Sequence, residues 1–260
     1  MSHWEKYHTR WTHIEPPLRC SAEVVQEVQS IVGRVEGTVL LLGVTPELAD
    51  AFDKVFAVDK NPSMIANVWP GDSAAKRAVA ADWLDLGSQA ETFAAIVGDG
   101  SLNNLGYPSD IKKLLDAALD MLTPGGHFVC RLFERPSPSF TIADIMQAAR
   151  APVSLNFHAL KWMIAMHVAA HNDAMVPVTQ ILATFNTLFP DRDGLSRDTG
   201  WPRRAIDTID IYEGSTMSYS FPCREEFQAI VPDRAIDVAF RSCGTYALAS
   251  CCPILSFRKA

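Results

Sequence analysis

Between residues 39 and 133 the chain carries five short apolar runs, and four of them close on glycine or aspartate. They are 39–43 (VLLLG), 55–59 (VFAVD), 78–82 (AVAAD), 93–100 (FAAIVGDG) and 126–133 (GHFVCRLF). A strand with one wet face alternates apolar and polar residues. These runs do not alternate, so each predicts a strand covered on both faces. Helical patterns fill the intervals. Val24, Val28, Ile31 and Val32 form a stripe after Ser21, a capping residue, and Gly33 can close it. Asn61-Pro62 sets a cap and an N1 proline ahead of Met64 and Ile65. Ile111, Leu114, Leu115, Ala118, Leu119 and Leu122 keep amphipathic spacing until Pro124-Gly125-Gly126. The pattern predicts an α/β fold, a doubly wound Rossmann-like sheet with helices on both faces.

Past Arg135 the texture changes. Helices are expected near 142–150 (capped by Thr141), 157–171 and 178–189, with Pro136, Pro138 and Pro152 as punctuation. A polar stretch, 191–204, leads to DTIDIY at 207–212. A helix near 224–231 and strands near 235–240 and 254–258 complete the chain. Pro253 cannot donate to a ladder, so the last strand starts after it. The expected division is a single domain, 1–260. Within it, 1–33 is a helical segment and candidate lid, and 34–150 a ligand-binding core. A mainly helical insertion, 151–215, is the acceptor cover, and 216–260 returns to the sheet.

With 23 basic and 30 acidic side chains, the net charge is -7. That argues against a general nucleic-acid binder, although Arg192, Arg197, Arg203 and Arg204 fall close together. Apolar residues make up 48% of the chain, enough for a full core. The six cysteines contain no CxxC pair, so neither a disulfide scaffold nor a structural zinc site is expected. The first 20 residues lack a secretory apolar stretch, and no run approaches the roughly 20 apolar residues of a membrane span. The expectation is a reduced, soluble, cytoplasmic protein with no membrane partner.

In an open parallel sheet, ligands bind outside the carboxyl ends of the strands. The residues there are Gly43-Val44-Thr45-Pro46, Asp59, Asp82-Trp83 and Gly98-Asp99-Gly100. A carboxylate ending the second strand can accept from both hydroxyls of a ribose. Asp82 beside Trp83 suits a base with an exocyclic amine. A diphosphate site wants G-x-G-x-x-G, but these positions hold Gly43, Thr45 and Leu48. A ligand with a ribose and a base but no phosphate fits better.

Taken together, VLLLGVTPELA (39–49), VFAVDKNPSMI (55–65), AADWLDL (80–86), IVGDGSLNNLGYP (96–108) and LTPGGHFVCRLF (122–133) resemble the class I S-adenosylmethionine-dependent methyltransferases. GVTPE, DGSL, FHALKW (157–162), DTIDIY and SYSFP (218–222) resemble one subgroup of them. The resemblance implies a sheet that is mostly parallel with an antiparallel last strand between the fifth and sixth. It implies S-adenosylmethionine as cofactor, S-adenosylhomocysteine as product and a small-molecule acceptor. Gly43, Val44 and Thr45 would face the methionine part, and Asp59 would bind the ribose diol with Lys60 beside it. Met64, Asp82 and Trp83 would hold the adenine, while Gly98, Asp99 and Gly100 would line the methionyl end. Arg19 could reach the cofactor carboxylate. The family's first loop usually reads E/D-x-G-x-G; here Leu41 and Leu42 precede Gly43 and Thr45-Pro46 follows it.

Methyl transfer from a sulfonium needs a base only when the acceptor must lose a proton. By location the candidates are Asp99, Tyr107 and His158. Trp4, His8 and Trp11 make an aromatic stripe, either packing onto the body or covering the site, and loss of residues 1–18 should weaken cofactor binding more than it lowers the melting temperature. His167 and His171 have metal-ligand spacing but no evident third ligand, so no metal is expected. Trp162, Met163 and Met166 could coat an acceptor pocket. Two rival readings stay open: a degenerate methyltransferase fold that binds without turnover, and an NAD-type oxidoreductase.

Overall fold

In the computed structural model, which describes residues 3–88, 92–151 and 155–260, the chain enters through helix α1 (Trp4–Tyr7) and a 3-10 stretch (His8–His13). Residues 1 and 2 of the candidate lid, and Pro152, lie outside the described residues. Helix α2 (Ala22–Val32) starts where the Ser21 hydroxyl accepts the Val24 N–H at 3.4 Å. Alternation follows through β1 (Val39–Leu42), α3 (Pro46–Asp50), β2 (Val55–Asp59), α4 (Pro62–Val68), β3 (Lys76–Ala80), β4 (Phe93–Asp99), α5 (Ser109–Met121) and β5 (Leu122–Arg131). Next come α6 (Ile142–Arg150), α7 (Phe157–Ala169), β6 (Met175–Pro177), α8 (Val178–Leu188), α9 (Arg192–Thr199), α10 (Arg203–Ile206) and β7 (Ser218–Ser220). The chain returns through α11 (Arg224–Gln228), β8 (Ala235–Arg241) and β9 (Ile254–Lys259).

The main sheet has seven strands in the order β3-β2-β1-β4-β5-β9-β8. Strands β1 to β5 are parallel, and β9 runs antiparallel between β5 and β8. Alternate residues face opposite layers. Leu40, Leu42, Val58 and Ile96 pack with the α5 stripe, whereas Leu41, Ala57 and Val97 pack with Val24, Val28 and Val32 of α2. This two-sided burial is why the runs read as unbroken apolar stretches.

A third apolar cluster sits in the insertion, around Phe157, Ile164, Ile181 and Phe185. It takes in Phe133, Cys251 and Cys252 from the core, so the two regions share one interior. Strand β7, past the expected boundary at 215, pairs antiparallel with β6.

Several boundaries differ from the expectation. β3 ends at Ala80, which leaves Asp82 in the following loop. β5 starts at Leu122 rather than 126, directly after α5. Leu122 pairs with Phe93, and a register shift before Ala95 absorbs the Pro124-Gly125 pair. Helix α7 stops at Ala169, where the chain turns through left-handed Asp173 and Ala174. Helix α9 occupies part of the expected polar stretch. Asp191 caps it by accepting the Gly194 N–H at 2.8 Å, and with Leu195 its only buried residue it has no apolar periodicity to read.

Candidate functional site

The strand order reverses between β1 and β4, and a cavity of about 520 Å³ opens at the carboxyl ends of β1, β2 and β4. Its floor is Gly43, Val44 and Thr45. Gly43 holds φ +108°, and its N–H donates to the Val58 carbonyl at 2.8 Å. The Trp83 indole N–H donates to the same carbonyl at 2.6 Å, which pins the ring at the cavity wall. Asp82 accepts the Leu84 N–H at 3.0 Å and stands 3.9 Å from the Lys60 ammonium, and both line the cavity.

Asp59 ends β2 facing this space. One carboxylate oxygen accepts the Asn61 N–H at 2.8 Å, and its partner oxygen has no hydrogen bond among the described residues. Burial pushes the carboxyl up to about 6, against the pull of the Asn61 N–H and Lys60. Asn61 also caps α4 through the Ser63 N–H at 2.9 Å, which fixes Met64 in the wall.

The opposite wall comes from the loop after β4. The Ser101 hydroxyl donates to the Leu42 carbonyl at 2.7 Å and ties that loop to β1. Asn104 donates to the Gly100 carbonyl at 3.0 Å, while its own Oδ1 is buried without a partner. Asp99 lines the cavity but is gripped from behind: Arg131 Nε reaches Oδ1 at 2.5 Å and a second nitrogen reaches Oδ2 at 3.1 Å. Burial opposes the Arg131 charge, and the Asp99 carboxylate more than offsets it, so the guanidinium stays charged.

The N-terminal segment forms the roof through Trp4, Tyr7, Trp11 and Leu18. It is fastened to the sheet side by Ser63, whose hydroxyl donates to the Glu5 carbonyl at 2.9 Å and lies 3.1 Å from His8 Nδ1. The expected Trp4–His8–Trp11 stripe is therefore split. The two indoles face the cavity, and His8 faces α4.

Five of the expected site residues stand elsewhere. Arg19 is not a cavity residue: its Nε donates to Glu47 at 2.6 Å and its guanidinium covers Trp11 at 5.4 Å, so it braces the roof. Gly98 and Gly100 lie behind the cavity wall. A Cβ on Gly98 would meet Ser101 Oγ at 2.6 Å, and one on Gly100 would meet Phe133 at 2.5 Å. Tyr107 lies outside the cavity, its N–H on the Met175 sulfur at 3.4 Å. His158 is buried in α7, with Nε2 2.9 Å from the His13 carbonyl. Burial and nearby Lys161 drive it down to about 3.

Tyr7, Asn61, Ser101, Asn104 and Leu105 also line the cavity and were missed in the sequence. Each looks like an ordinary turn or helix residue. Arg131 did carry a signal, a lone charge inside the apolar run FVCRLF. The His167 and His171 rings lie 5.1 Å apart at a tilt of 60°, and each Nδ1 faces a backbone carbonyl. No cluster able to hold a metal occurs among the described residues, and no helix there is long and apolar enough to cross a membrane.

The sheet order, the antiparallel β9 and the cleft at the β1/β4 reversal are those of the class I S-adenosylmethionine-dependent methyltransferase fold. The chain is similar over 100% of its length to the N-methyltransferase NodS from Bradyrhizobium japonicum WM9, crystallised with S-adenosyl-L-homocysteine (TM-score 0.51, 15% identity, 99% of that chain). A weaker similarity covers 45% of this chain and 51% of CalS10, an amino pentose methyltransferase from Micromonospora echinaspora (TM-score 0.38, 22% identity). No protein-family model and no curated protein sequence matches the chain.

Proposed function

We propose that this protein transfers a methyl group from S-adenosylmethionine to a small-molecule acceptor and releases S-adenosylhomocysteine. The observation that carries the reading is the Asp59 carboxylate, half-buried at a strand tip with one oxygen unengaged inside a nucleoside-sized cavity. About 300–1,000 Å³ is the usual range for such sites. Asp59 is suited to the ribose diol, and Trp83 and Met64 supply flat and deformable apolar walls for the base. Asp82 offers an acceptor at its edge. The unpartnered Asn104 Oδ1 suits an N–H at the methionyl end.

The sulfonium supplies an activated methyl group, so the chain's task is to orient two reactants and exclude water. Trp4, Tyr7 and Trp11 serve the second purpose. Asp99 is bound on both oxygens, which suits it to a fixed charge rather than a proton acceptor. With Tyr107 and His158 outside the cavity, the reading favours acceptors that arrive with a free lone pair. The six free cysteines suit a reducing, cytoplasmic compartment.

Isothermal titration with S-adenosylmethionine, S-adenosylhomocysteine and NAD tests the reading, followed by transfer of a labelled methyl group into a small-molecule extract. The first two should bind and NAD should not. Binding without transfer favours a cofactor-binding protein without turnover, the reading to which the altered Thr45-Pro46 loop lends weight. Binding of NAD alone, or of none, overturns the proposal.

A further inference from the structure

The roof segment also closes over a second group of polar side chains. Lys161 lies in α7, a helix buried on nearly every side, and is 1% exposed. Its ammonium is 5.1 Å from the Tyr212 ring centre and 5.8 Å from that of Trp162. Among the described residues no carboxylate or hydrogen-bond acceptor meets it. Aromatic faces recover only part of what an ammonium loses on leaving water. Beside it, the Trp162 indole N–H is buried with no partner, and the buried Tyr212 hydroxyl faces only the Tyr219 hydroxyl, which leaves its own O–H without an acceptor. One turn back in α7, His158 Nδ1 is unpartnered too. The His158 Nε2 faces a carbonyl and so carries the proton, which leaves Nδ1 a bare acceptor.

Lys161, Tyr212 and Trp162 are donors in need of an acceptor, and Tyr7 and His3 separate them from the cavity. Tyr7 belongs to the cavity roof, and its ring packs 5.9 Å from His3. His3 in turn packs 5.2 Å from Tyr212 and 5.7 Å from Tyr219. On the other side, the Ser220 hydroxyl donates to the carbonyl of Leu105 in the cavity wall.

We propose that Lys161, with the Tyr212 hydroxyl and the Trp162 indole N–H, receives a carboxylate carried by the methyl acceptor, which enters past His3 and Tyr7. This assignment of substrate class rests on the methyl-transfer reading above. A cationic group is disfavoured because the Lys161 ammonium already occupies the aromatic faces and repels a second charge. One cation and two neutral donors match a monoanion with two oxygens better than a phosphate dianion. Burial has brought the Lys161 amine down to about 7, and a carboxylate beside it restores the full charge. His3 holds the entrance through contacts to Tyr219 at 2.9 Å and Ser215 at 3.3 Å, which the acceptor replaces.

The test titrates benzoate and benzamide into the full chain, with and without S-adenosylhomocysteine. Benzoate should bind about tenfold more tightly than benzamide, the gain of a charge-assisted bond. Lys161→Met should abolish that preference and raise the melting temperature, because it removes a buried charge without a partner. A Lys161 that merely props the aromatic rings would give the opposite thermal shift. Tyr212→Phe should weaken benzoate with the melting temperature unchanged. Equal binding of benzoate and benzamide, or a preference that survives Lys161→Met, overturns the assignment. Failure of S-adenosylhomocysteine to bind would count against the methyl-transfer reading alone, because the benzoate comparison on the free protein still decides this one.

Discussion

Arg131 holds both oxygens of Asp99, Nε on Oδ1 at 2.5 Å and the second nitrogen on Oδ2 at 3.1 Å, with the guanidinium fully buried. Removing one partner strands a buried charge. Arg131→Met and Asp99→Asn should each cost about 3–5 kcal/mol in urea denaturation. The double variant should recover part of that loss, since it strands nothing. Single-variant costs below about 1 kcal/mol would mean that water reaches the pair.

Asp59 sets a pH dependence in two directions. Its carboxyl rises from an ordinary 3.8 to about 6 on folding, so the folded chain holds its proton more tightly. The resulting stability is complete below pH 3.8 and is lost as pH climbs through 6. In the proposed nucleoside site ligand binding runs the other way, because ribose hydroxyls would donate to the ionised form. S-adenosylhomocysteine affinity should therefore rise with pH up to about 6 and then level off. Asp59→Asn should flatten that profile and weaken binding by about 1.5–3 kcal/mol, roughly tenfold to a hundredfold. Calorimetry from pH 5 to 8 reads both effects.

The roof separates binding from folding. Tyr7 and Ile14 belong to the buried core, so deleting residues 1–18 would cost stability as well as affinity. Trp4 and Trp11 are half-buried cavity residues and isolate the roof's role. Trp4→Ala with Trp11→Ala should weaken S-adenosylhomocysteine at least tenfold while moving the melting temperature little. Unchanged affinity would show that the segment only packs.

Gly43 is required by its backbone rather than by crowding. At φ +108° an L side chain is strained, whereas a Cβ there would touch only Trp83, at 4.0 Å. Gly43→Ala should destabilise the protein by about 1–3 kcal/mol in denaturation. A neutral result would mean that the loop relaxes to negative φ.

The sheet was legible because two-sided burial leaves unbroken apolar runs, and a tip residue such as Asp59 follows from where a run stops. Trp83, one position past the 78–82 run, lies in the cavity wall for the same reason. The Arg19–Glu47 pair was not legible, since nothing in PPLR announces Glu47 as a partner. Asn104 depends on how one loop folds back against Gly100. Lys161 was visible as a lone charge in LKWMIAMHVA, where a helix apolar all round signals burial. Its meaning needed Tyr212, 51 positions away in sequence and 5.1 Å away in space.

Strand β9 runs against its neighbours, so the chain's last residues leave at the opposite end of the sheet from the cleft. Lys259 there donates to the Asp120 and Leu122 carbonyls at the start of β5. Trp4 and Tyr7, near the start of the described chain, lie over the cavity itself. A purification handle or surface tether fused at Ala260 leaves the mouth clear, whereas one fused ahead of His3 joins the chain close to the roof residues Trp4 and Tyr7.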